Sequence, residues 1–326
     1  MQINSIQPMD NQYTARLSAI AVMPKRLYYY GKMPTQDARF MKCSPRYSFE
    51  QPGRPKTVAI VGARKNTDYG KEQAYKIAFE LAEQGVVIVS GLAFGIDSVA
   101  HRAALDASGV TIAVLGTPID QIYPACHRGL AKEIVDRGGA IVSEYPRWEE
   151  IKKSKEMSQI LCSRNGRKKA FLQRNRLISG LSDVVIVVEA DLRSGSLNTA
   201  HHAFEQSNLV YAVPGDVTRT SSRGCNRLLG RGAMAFTEIE DVLLDLGINT
   251  KKKKRNNQIL EGDNEKETLI LGQLDSGVLD GEEIILKINQ KGENDFDVSD
   301  FTVTIFDLQI KGRVKAMGEN KWILIK

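Results

Sequence analysis

Residues 57–97, TVAIVGARKNTDYGKEQAYKIAFELAEQGVVIVSGLAFGID, decide the fold of this chain. They open with an uninterrupted apolar run at 58–61, which is too short and too rich in β-branched residues for a helix. Apolar residues then recur at helical spacing over 71–83, and a second apolar run follows at 86–89. Uniformly apolar strands are typical of parallel sheets that are buried on both faces. The stretch therefore predicts an α/β fold, a mostly parallel sheet with helices on both faces.

Glycine turns follow both predicted strands, at residues 62–64 (GAR) and 90–93 (SGLA). The carboxyl ends of parallel strands form the ligand crevice of such a sheet, and helix N-termini there offer unpaired amides to anions. We therefore expect two neighbouring phosphate cradles. The alternative is that these glycines only permit tight packing. Arg64, a fixed cation beside the first turn, favours the anion-binding interpretation.

The glycine pattern differs from the dinucleotide-binding fingerprint. The sequence GxGxxG is absent, and Ser90 and Gly91 stand where an acidic residue would hold a ribose hydroxyl. A nicotinamide cofactor is therefore not expected, and no other cofactor is predicted. The four cysteines lie far apart and the four histidines lack ligand spacing, so no metal site is predicted either.

Composition favours a protein that works inside the cell on an anionic partner. The chain has 326 residues and a net charge of +6, enough length for a full α/β core and one small module. No apolar stretch approaches the ~20 residues of a membrane span, and residues 1–12 are too polar for a secretion signal. Isolated cysteines are typical of a reducing compartment. We therefore expect a cytoplasmic protein without membrane association.

The strongest charge anomaly lies in residues 151–176, which hold nine lysines and arginines against a single acid, Glu156. Such a run is often only a solvated face. This one leads into Phe171 and the segment QRNR (173–176), so we expect residues 171–176 to start a helix that meets the crevice. Cations interleaved with an aromatic ring suit a single-strand groove, because the charges follow the backbone and the ring stacks on bases.

A third candidate cradle follows the predicted strand 183–188. The segment SGS (194–196) precedes a predicted helix, 198–206, and small residues at such a position leave backbone amides open to an anion. Capping of this helix by Ser196 or Asn198 is the structural alternative, and it uses the same atoms. The two interpretations remain equally open on the sequence.

Composition also suggests four parts. Residues 1–56 have no strong period, and the segments 17–22 and 26–31 are expected as short extended pieces that dock on the core. A lysine-rich run at 251–255 predicts an exposed linker. Residues beyond it predict three helices and a β-hairpin, the elements of a winged-helix-like domain. The predicted parts are 1–56 (N-terminal extension), 57–247 (DNA-binding domain), 248–265 (basic polar linker) and 266–326 (winged-helix-like domain).

Several motifs between residues 57 and 246 resemble those of one protein family. They are VGAR (61–64), SGLAFGID (90–97), SEYP (143–146), QRNR (173–176), SGS (194–196) and GCN (224–226). In this order they are similar to the core motifs of the DNA-processing protein A family (DprA/Smf). Two positions depart from the family pattern. Ala63 stands where the family usually has serine, and Phe94 stands where it usually has arginine.

The resemblance implies a Rossmann-like core that binds single-stranded DNA and helps to load a RecA-type recombinase during natural transformation. It also implies self-association, so a homodimer is expected. It further implies that Lys168, Phe171 and the segment RNR (174–176) lie in the family's DNA pocket. No catalytic residue is predicted. The predicted DNA- or phosphate-binding residues are Gly62, Arg64, Ser90, Gly91, Gly95, Lys168, Phe171, Arg174, Asn175, Arg176, Ser194, Gly195, Ser196 and Thr199.

Two other classes of function compete with DNA binding. A nucleotide-processing enzyme such as a nucleoside-monophosphate phosphoribohydrolase would place a carboxylate beside a Pro-Gly-Gly-x-Gly-Thr loop, which is absent. Glu189 and Glu205 are the carboxylates near a comparable position, and neither has an evident acid–base partner. A regulatory nucleotide sensor would leave the basic run unexplained. The sequence therefore favours a DNA-binding protein without enzymatic activity.

Overall fold

The computed structural model describes residues 2–34, 55–248, 262–275, 280–291, 296–318 and 320–324. The chain divides into two compact units, Met1–Asn249 and Thr250–Lys326. The lysine-rich run at 251–255, predicted as a linker, lies outside the described residues. Each unit has a hydrophobic core of its own.

A nine-stranded sheet forms the centre of the first unit. Its strands are β1 (Asn4–Ile6), β2 (Leu27–Gly31), β3 (Thr57–Val61), β4 (Val87–Ser90), β5 (Thr111–Leu115), β6 (Ala140–Ser143), β7 (Val184–Val187), β8 (Leu209–Ala212) and β9 (Met234–Ala235). They lie in the order β1-β2-β6-β5-β4-β3-β7-β8-β9, and every pair among β3 to β9 is parallel. Strand β2 runs antiparallel to both of its neighbours. The predicted mostly parallel sheet is confirmed.

Helices cover both faces of this sheet. They are α1 (Asp68–Glu83), α2 (Ile96–Asp106), α3 (Arg128–Asp136), α4 (Trp148–Ile151), α5 (Lys155–Cys162), α6 (Arg164–Gly180), α7 (Ser196–Glu205), α8 (Arg223–Leu229) and α9 (Ile239–Asp245). Helices α1, α2, α3 and α9 pack on one face, and α6, α7 and α8 pack on the other. In β3, Val58 and Ile60 point to the first layer, and Ala59 and Val61 point to the second. Burial on both faces explains why the strand is uniformly apolar.

The strand order reverses at β3. Strands β4, β5 and β6 extend the sheet on one side of β3, and β7, β8 and β9 extend it on the other. The loops after β3 and β7 therefore lead to opposite faces and leave a crevice between them. Val61 pairs with Val187, so the two strands end at the same level. Doubly wound sheets bind ligands at this point.

Residues 2–34 pack against the sheet, partly as a short 3-10 helix, Thr14–Ala19. Arg16 of this helix forms a 3.2 Å ion pair with Asp183 at the start of β7. The extended segment predicted at 17–22 is wrong, because a helical turn buries Leu17 completely in the core beneath α6. The strand predicted at 26–31 is present as β2.

Helix α6 begins seven residues before Phe171. The hydroxyl of Ser163 accepts a 2.9 Å hydrogen bond from the amide of Gly166 and so caps the helix. The helix start predicted at 171–176 is therefore wrong, since these residues lie inside α6. The first turns of α6 are polar and exposed, so they lack the apolar period by which a helix is recognised in a sequence.

The second unit contains three helices and an antiparallel hairpin. These elements are α10 (Glu265–Asp275), α11 (Gly281–Lys291), α12 (Val298–Ile310), β10 (Val314–Gly318) and β11 (Lys321–Leu324). All three helices contribute to its core, together with Val314 and Trp322 of the hairpin. This is the order of elements that the sequence predicts. No helix in the described parts of either unit is long and apolar enough to cross a membrane.

Candidate nucleic-acid interface

A cavity of about 1610 Å³ opens at the carboxyl ends of β3 and β7. Residues 61–65, which follow β3, and residues 193–196, which lead into α7, line one part of it. The segment 120–123 and helix α6 line another part. The cavity therefore lies at the point where the strand order reverses, the usual ligand position in this sheet topology.

Helix α6 presents one face to this cavity. Its residues there include Arg164, Arg167, Lys168, Phe171, Arg174, Asn175 and Ile178. Residues three or four positions apart lie on the same side of a helix, and these follow that spacing over four turns. Cations and one aromatic ring therefore share this face of α6, which we call the basic wall.

The cavity is strongly basic, because among the residues that the structure describes eight cationic side chains line it against three acidic ones. The cations are Arg64, Lys65, Arg128, Arg164, Arg167, Lys168, Arg174 and Arg193. The acids are Asp97, Asp120 and Asp191. An excess of this size in a concave site attracts a polyanion, and with nucleic acid it makes affinity depend on salt.

Phe171 is the aromatic centre of the cavity. Its ring lies 5.4 Å from that of Tyr123, centroid to centroid, with 41° between the ring planes. The guanidinium carbons of Arg64 and Arg174 lie 5.8 and 5.9 Å from the Phe171 centroid, within the range of cation–π attraction. A Cβ on Gly116 would come within 2.7 Å of the ring, so a glycine is needed there. Tyr123 is 48% exposed, which leaves aromatic surface open to a ligand.

Arg174 is a buried cation that joins α6 to the sheet. Its guanidinium donates a 2.9 Å hydrogen bond to the carbonyl of Gly91 and another hydrogen bond to the carbonyl of Val114. Burial lowers the pKa of Arg174 to about 10, although nearby Asp97 acts to raise it. The group therefore stays charged at neutral pH. A Cβ on Gly91 would lie 2.6 Å from this guanidinium, so only glycine fits.

The turn after β4 holds an anion that the chain itself supplies. The Asp97 carboxylate accepts hydrogen bonds from the amides of Gly91 (3.1 Å) and Ala93 (3.4 Å). Burial raises the pKa of Asp97, and the charge of Arg174 opposes this shift. Because the carboxylate already uses these amides, the phosphate cradle predicted at 90–93 is not open to a ligand.

Two further residues of this turn that are predicted to bind DNA or phosphate, Ser90 and Gly95, have structural roles instead. Ser90 is buried and its hydroxyl donates a 2.7 Å hydrogen bond to the carbonyl of Ile60, so it does not reach the cavity. Gly95 has a φ of 77°, and a Cβ there would lie 2.2 Å from the carbonyl oxygen of Ala63. Glycine thus lets the turns after β3 and β4 touch. Neither residue lines the cavity.

The turn before α7 is an open part of the lining. Ser194, Gly195, Ser196 and Thr199 all border the cavity. Helix α7 begins at Ser196 after Gly195, and the hydroxyl of Ser194 accepts a 3.4 Å hydrogen bond from the amide of Ser196. Capping by the side chains of Ser196 or Asn198 is not observed, but the amides of Ser194, Leu197 and Asn198 donate to main-chain carbonyls at 2.9 to 3.2 Å. Anion binding by the amides of this turn therefore stays a prediction.

Asn175 fixes this turn against α6. Its amide nitrogen donates 3.2 Å hydrogen bonds to the carbonyl of Gly195 and to the side-chain oxygen of Asn198. Its own side-chain oxygen accepts a bond from Arg174. The loop after β7 and the basic wall are therefore held together by side chains as well as by the core.

Arg176 lies on the other side of α6, away from the cavity. Its guanidinium forms a two-point ion pair with Glu144, with bonds of 3.0 and 2.7 Å, and donates to the carbonyl of Val22. Both members of the pair are largely buried. Its predicted place in the DNA-binding pocket is therefore wrong, because two positions along a helix turn a side chain to a different face.

The structure brings ten predicted residues together and leaves four outside the cavity. Those in its lining are Gly62, Arg64, Lys168, Phe171, Arg174, Asn175, Ser194, Gly195, Ser196 and Thr199; those outside are Ser90, Gly91, Gly95 and Arg176. Sequence reasoning missed Lys65, Tyr123, Arg128, Arg164, Arg167 and Arg193. Counting back from Phe171 in steps of three and four residues could have identified Arg164 and Arg167. Tyr123 and Arg128 follow a different strand, so helical spacing could not identify them.

The carboxylates considered for catalysis do not line the cavity. Glu189 is buried and accepts a 2.9 Å hydrogen bond from the amide of Thr67, which fixes the start of α1. Glu205 is exposed on α7 beside His201 and His202. Within the residues that the structure describes, no three His, Cys, Asp or Glu side chains cluster as a metal site requires.

The two departures from the family pattern lie near the turns. Ala63 lines the cavity and its carbonyl accepts a 3.2 Å hydrogen bond from the amide of Ile96. Phe94 is 48% exposed and packs edge-on against His127, with centroids 5.3 Å apart, but is not part of the lining. The Ala63 methyl therefore removes a hydroxyl from the site, whereas Phe94 alters only its surroundings.

Fold and site together define a class of protein. It is a doubly wound α/β protein with a basic cavity at the point where the strand order reverses, and this cavity carries exposed aromatic surface. A family model described as DNA recombination-mediator protein A matches residues 49–247. The chain belongs to this family.

Relatives and solved structures are similar over the same region. Protein Smf of Escherichia coli is 43% identical over 189 residues, which is 58% of this chain and 46% of that protein. DNA processing protein DprA of Streptococcus pneumoniae is 36% identical over 241 residues, 74% of this chain and 73% of that one. The chain thus spans about half the length of some curated relatives that it matches.

The X-ray structure of DprA from Streptococcus pneumoniae has a TM-score of 0.58 at 34% identity, and the match covers 75% of this chain and 74% of that one. A structure of DNA processing protein A from Helicobacter pylori has the same TM-score at 30% identity, covering 76% and 96%. Its description concerns a single-stranded DNA binding mode of that protein.

Proposed function

We propose that this protein binds single-stranded DNA in the cavity between β3 and β7, without marked sequence preference. One observation carries this proposal: four cations and Phe171 share the cavity face of α6, and the exposed ring of Tyr123 lies beside Phe171. A single-strand site needs cations along the backbone and aromatic surface for bases. The Helicobacter pylori relative, described as a single-stranded DNA binder, supports the same function.

Each part of the lining has a proposed role. Arg64 and Lys168 neutralise phosphates, since both are exposed and neither is tied up in an ion pair among the described residues. Phe171 stacks on a base, with Tyr123 beside it. The turn 194–196 before α7 contacts a phosphate through the hydroxyls of Ser194 and Ser196, which border the cavity. Arg174 holds the wall in position through Gly91.

The biological setting is proposed from the family. The protein would pass its DNA to a RecA-type recombinase during natural transformation and would act as a homodimer. We place its action in the cytoplasm, where recombinases work and where thiols such as exposed Cys126 and Cys162 stay reduced. It acts by binding rather than by catalysis, because the cavity's carboxylates are outnumbered by cations and include no paired acid and base.

A direct titration tests the proposal. Fluorescently labelled oligonucleotides of one length, in single-stranded and duplex form, are titrated with the full chain at two salt concentrations. We expect single strands to bind more tightly, with affinity that falls as salt rises because phosphate contacts release counterions. Mixed-sequence single strands should bind about equally well. Duplex binding that equals or exceeds single-strand binding would reject the proposal.

A further inference from the structure

Four exposed arginines lie outside the cavity, around α8. Arg223 and Arg227 stand one helical turn apart on the exposed side of α8, Arg219 precedes a 3-10 turn at its start, and Arg231 follows its end. The opposite side of α8 is buried against the sheet. We refer to these four residues as the arginine row. It presents cations at intervals of four residues over one stretch of surface.

Among the described residues, one member of the arginine row lies near an acid: hydrogen bonds from Thr218 and the charge of Arg219 lower the pKa of the Asp216 carboxyl. No member of the row forms an ion pair or a side-chain hydrogen bond there. Other exposed cations of this unit differ: Lys132, Arg137 and Lys152 each pair with an acid on or beside their own helix. Like charges one turn apart repel and slightly destabilise a helix. An external polyanion would remove this repulsion.

The arginine row begins next to the cavity. The amide of Ala190 donates a 2.9 Å hydrogen bond to the carbonyl of Ser221, and the amide of Gly224 donates a 2.8 Å bond to the carbonyl of Ala190. Ala190 is followed directly by the loop 191–196, most of which lines the cavity. A Cβ on Gly224 would lie 2.6 Å from the Ala190 oxygen, so glycine permits this close packing of α8. The loop that borders the cavity therefore also supports the arginine row.

We propose that the arginine row binds the phosphate backbone of single-stranded DNA where the strand leaves the cavity. This inference rests on the proposed function and extends its site beyond the cavity. Contacts on this surface are electrostatic and independent of sequence, because guanidinium groups here meet phosphates and not base edges. The row therefore matters for long strands and not for those short enough to lie in the cavity alone.

The test compares two oligonucleotide lengths with the full chain. Oligothymidylates of about 6 and about 30 nucleotides, chosen because single-strand sites span roughly 4–16 nucleotides, are titrated over a range of salt. The variant is Arg223→Gln with Arg227→Gln. The matched control is Lys25→Gln with Lys76→Gln, which removes the same charge at exposed positions outside the cavity and α8.

We expect the arginine variant to bind the long strand several-fold more weakly, with a salt slope smaller by about 1.4 for two lost phosphate contacts. Its affinity for the short strand and the control's affinity for both should match the wild type. Unchanged binding of the long strand would overturn the inference and leave an acidic protein surface as the partner. An equal loss on both lengths, or in the control, would also overturn it. If the wild-type chain binds neither strand, the proposed function itself fails.

Discussion

The guanidinium of Arg174 donates a 2.9 Å hydrogen bond to the main-chain carbonyl of Gly91. This contact ties the middle of α6 to the end of β4, 83 residues away in the chain. Asp97 approaches the same glycine and would lie 2.7 Å from a Cβ placed on it. The basic wall is therefore held on the sheet by a buried cation next to a buried carboxylate, and the exposed cations of α6 remain available for a ligand.

Charge and stacking in the cavity can be separated by two substitutions. Arg64→Ala should weaken single-strand binding and lower the salt slope by about 0.7, because one phosphate contact is lost. Phe171→Ala should cost ~1–3 kcal/mol of binding free energy with little change in slope, because a stacked base is lost. Salt-dependent titrations measure both quantities. If Phe171→Ala unfolds the protein instead, the ring serves the core, and the proposed stacking is wrong.

Arg176→Met should destabilise the protein without weakening DNA binding by the folded fraction. Removing one member of a buried ion pair leaves Glu144 charged and unpaired, and such a change typically costs about 3–5 kcal/mol. Urea denaturation measures the free energy of unfolding. The double variant Arg176→Met with Glu144→Leu should recover part of the loss, since no buried charge is left. Normal stability with lost DNA affinity in the single variant would instead restore Arg176 to the binding site.

His101 should make the first unit sensitive to acid. Its Nδ1 donates to the hydroxyl of Thr111 at 2.7 Å, since that hydroxyl itself donates to the carbonyl of Ile88. Burial lowers the pKa of His101 from 6.5 to about 3. Between these values the unfolded chain binds a proton that the folded chain does not. The unfolding free energy should therefore fall as pH falls from 6.5 towards 3, by at most ~1.4 kcal/mol per pH unit from this group.

Urea denaturation at pH 7.5, 6.5 and 5.5 measures this dependence. His101→Asn keeps a donor for Thr111 and removes the titrating group, so its stability should fall less steeply between pH 6.5 and 5.5 than that of the wild type. Parallel pH profiles for the two proteins would contradict the assignment.

We expect no release of free base from nucleoside monophosphates and no turnover of NAD. The amide of Thr67 holds Glu189 outside the cavity, and Asp97 is engaged by two backbone amides. Neither therefore stands opposite a free acid or base. Chromatography of nucleotides incubated with the protein checks this expectation. Base release that disappears in Glu189→Gln would establish an enzyme instead.

The second unit is predicted to contact protein rather than DNA. Residues 261–326 contain fourteen acids and eight bases. Helix α12 exposes Val303, Phe306 and Ile310, which lie at spacings of three and four residues and so share one side. An apolar helix face in an acidic unit suits a protein surface and not a phosphate backbone.

Deleting residues 261–326 should leave single-strand affinity within a few-fold of the full chain while altering self-association or recombinase contact. Sedimentation and a recombinase pull-down measure those contacts. The pair Val303→Ser and Ile310→Ser should reproduce the altered contact in the full chain. Binding of duplex DNA by residues 261–326 alone at physiological salt would contradict the prediction.

The basic wall shows how much of the site can be predicted from the spacing of residues in the sequence. Once the start of α6 at Arg164 is known, spacings of three and four residues place Arg167, Lys168 and Phe171 on one side. The sequence concealed that start because polar, exposed turns have no apolar period. The same helical geometry places Arg174 and Arg176 on different faces of α6, because they are two positions apart.

The sequence by itself determined the doubly wound sheet, because strands buried on both faces must be uniformly apolar and the helices between them must be amphipathic. It also determined the excess of cations beside an aromatic ring. Only the tertiary structure decided which partners the amides of the glycine turns find: Asp97 accepts from those after β4, and Ser194 and main-chain carbonyls accept from those before α7. It likewise decided that Arg176 pairs with Glu144. These outcomes depend on partners many residues apart, whose meeting is fixed by how the elements pack and not by any local pattern.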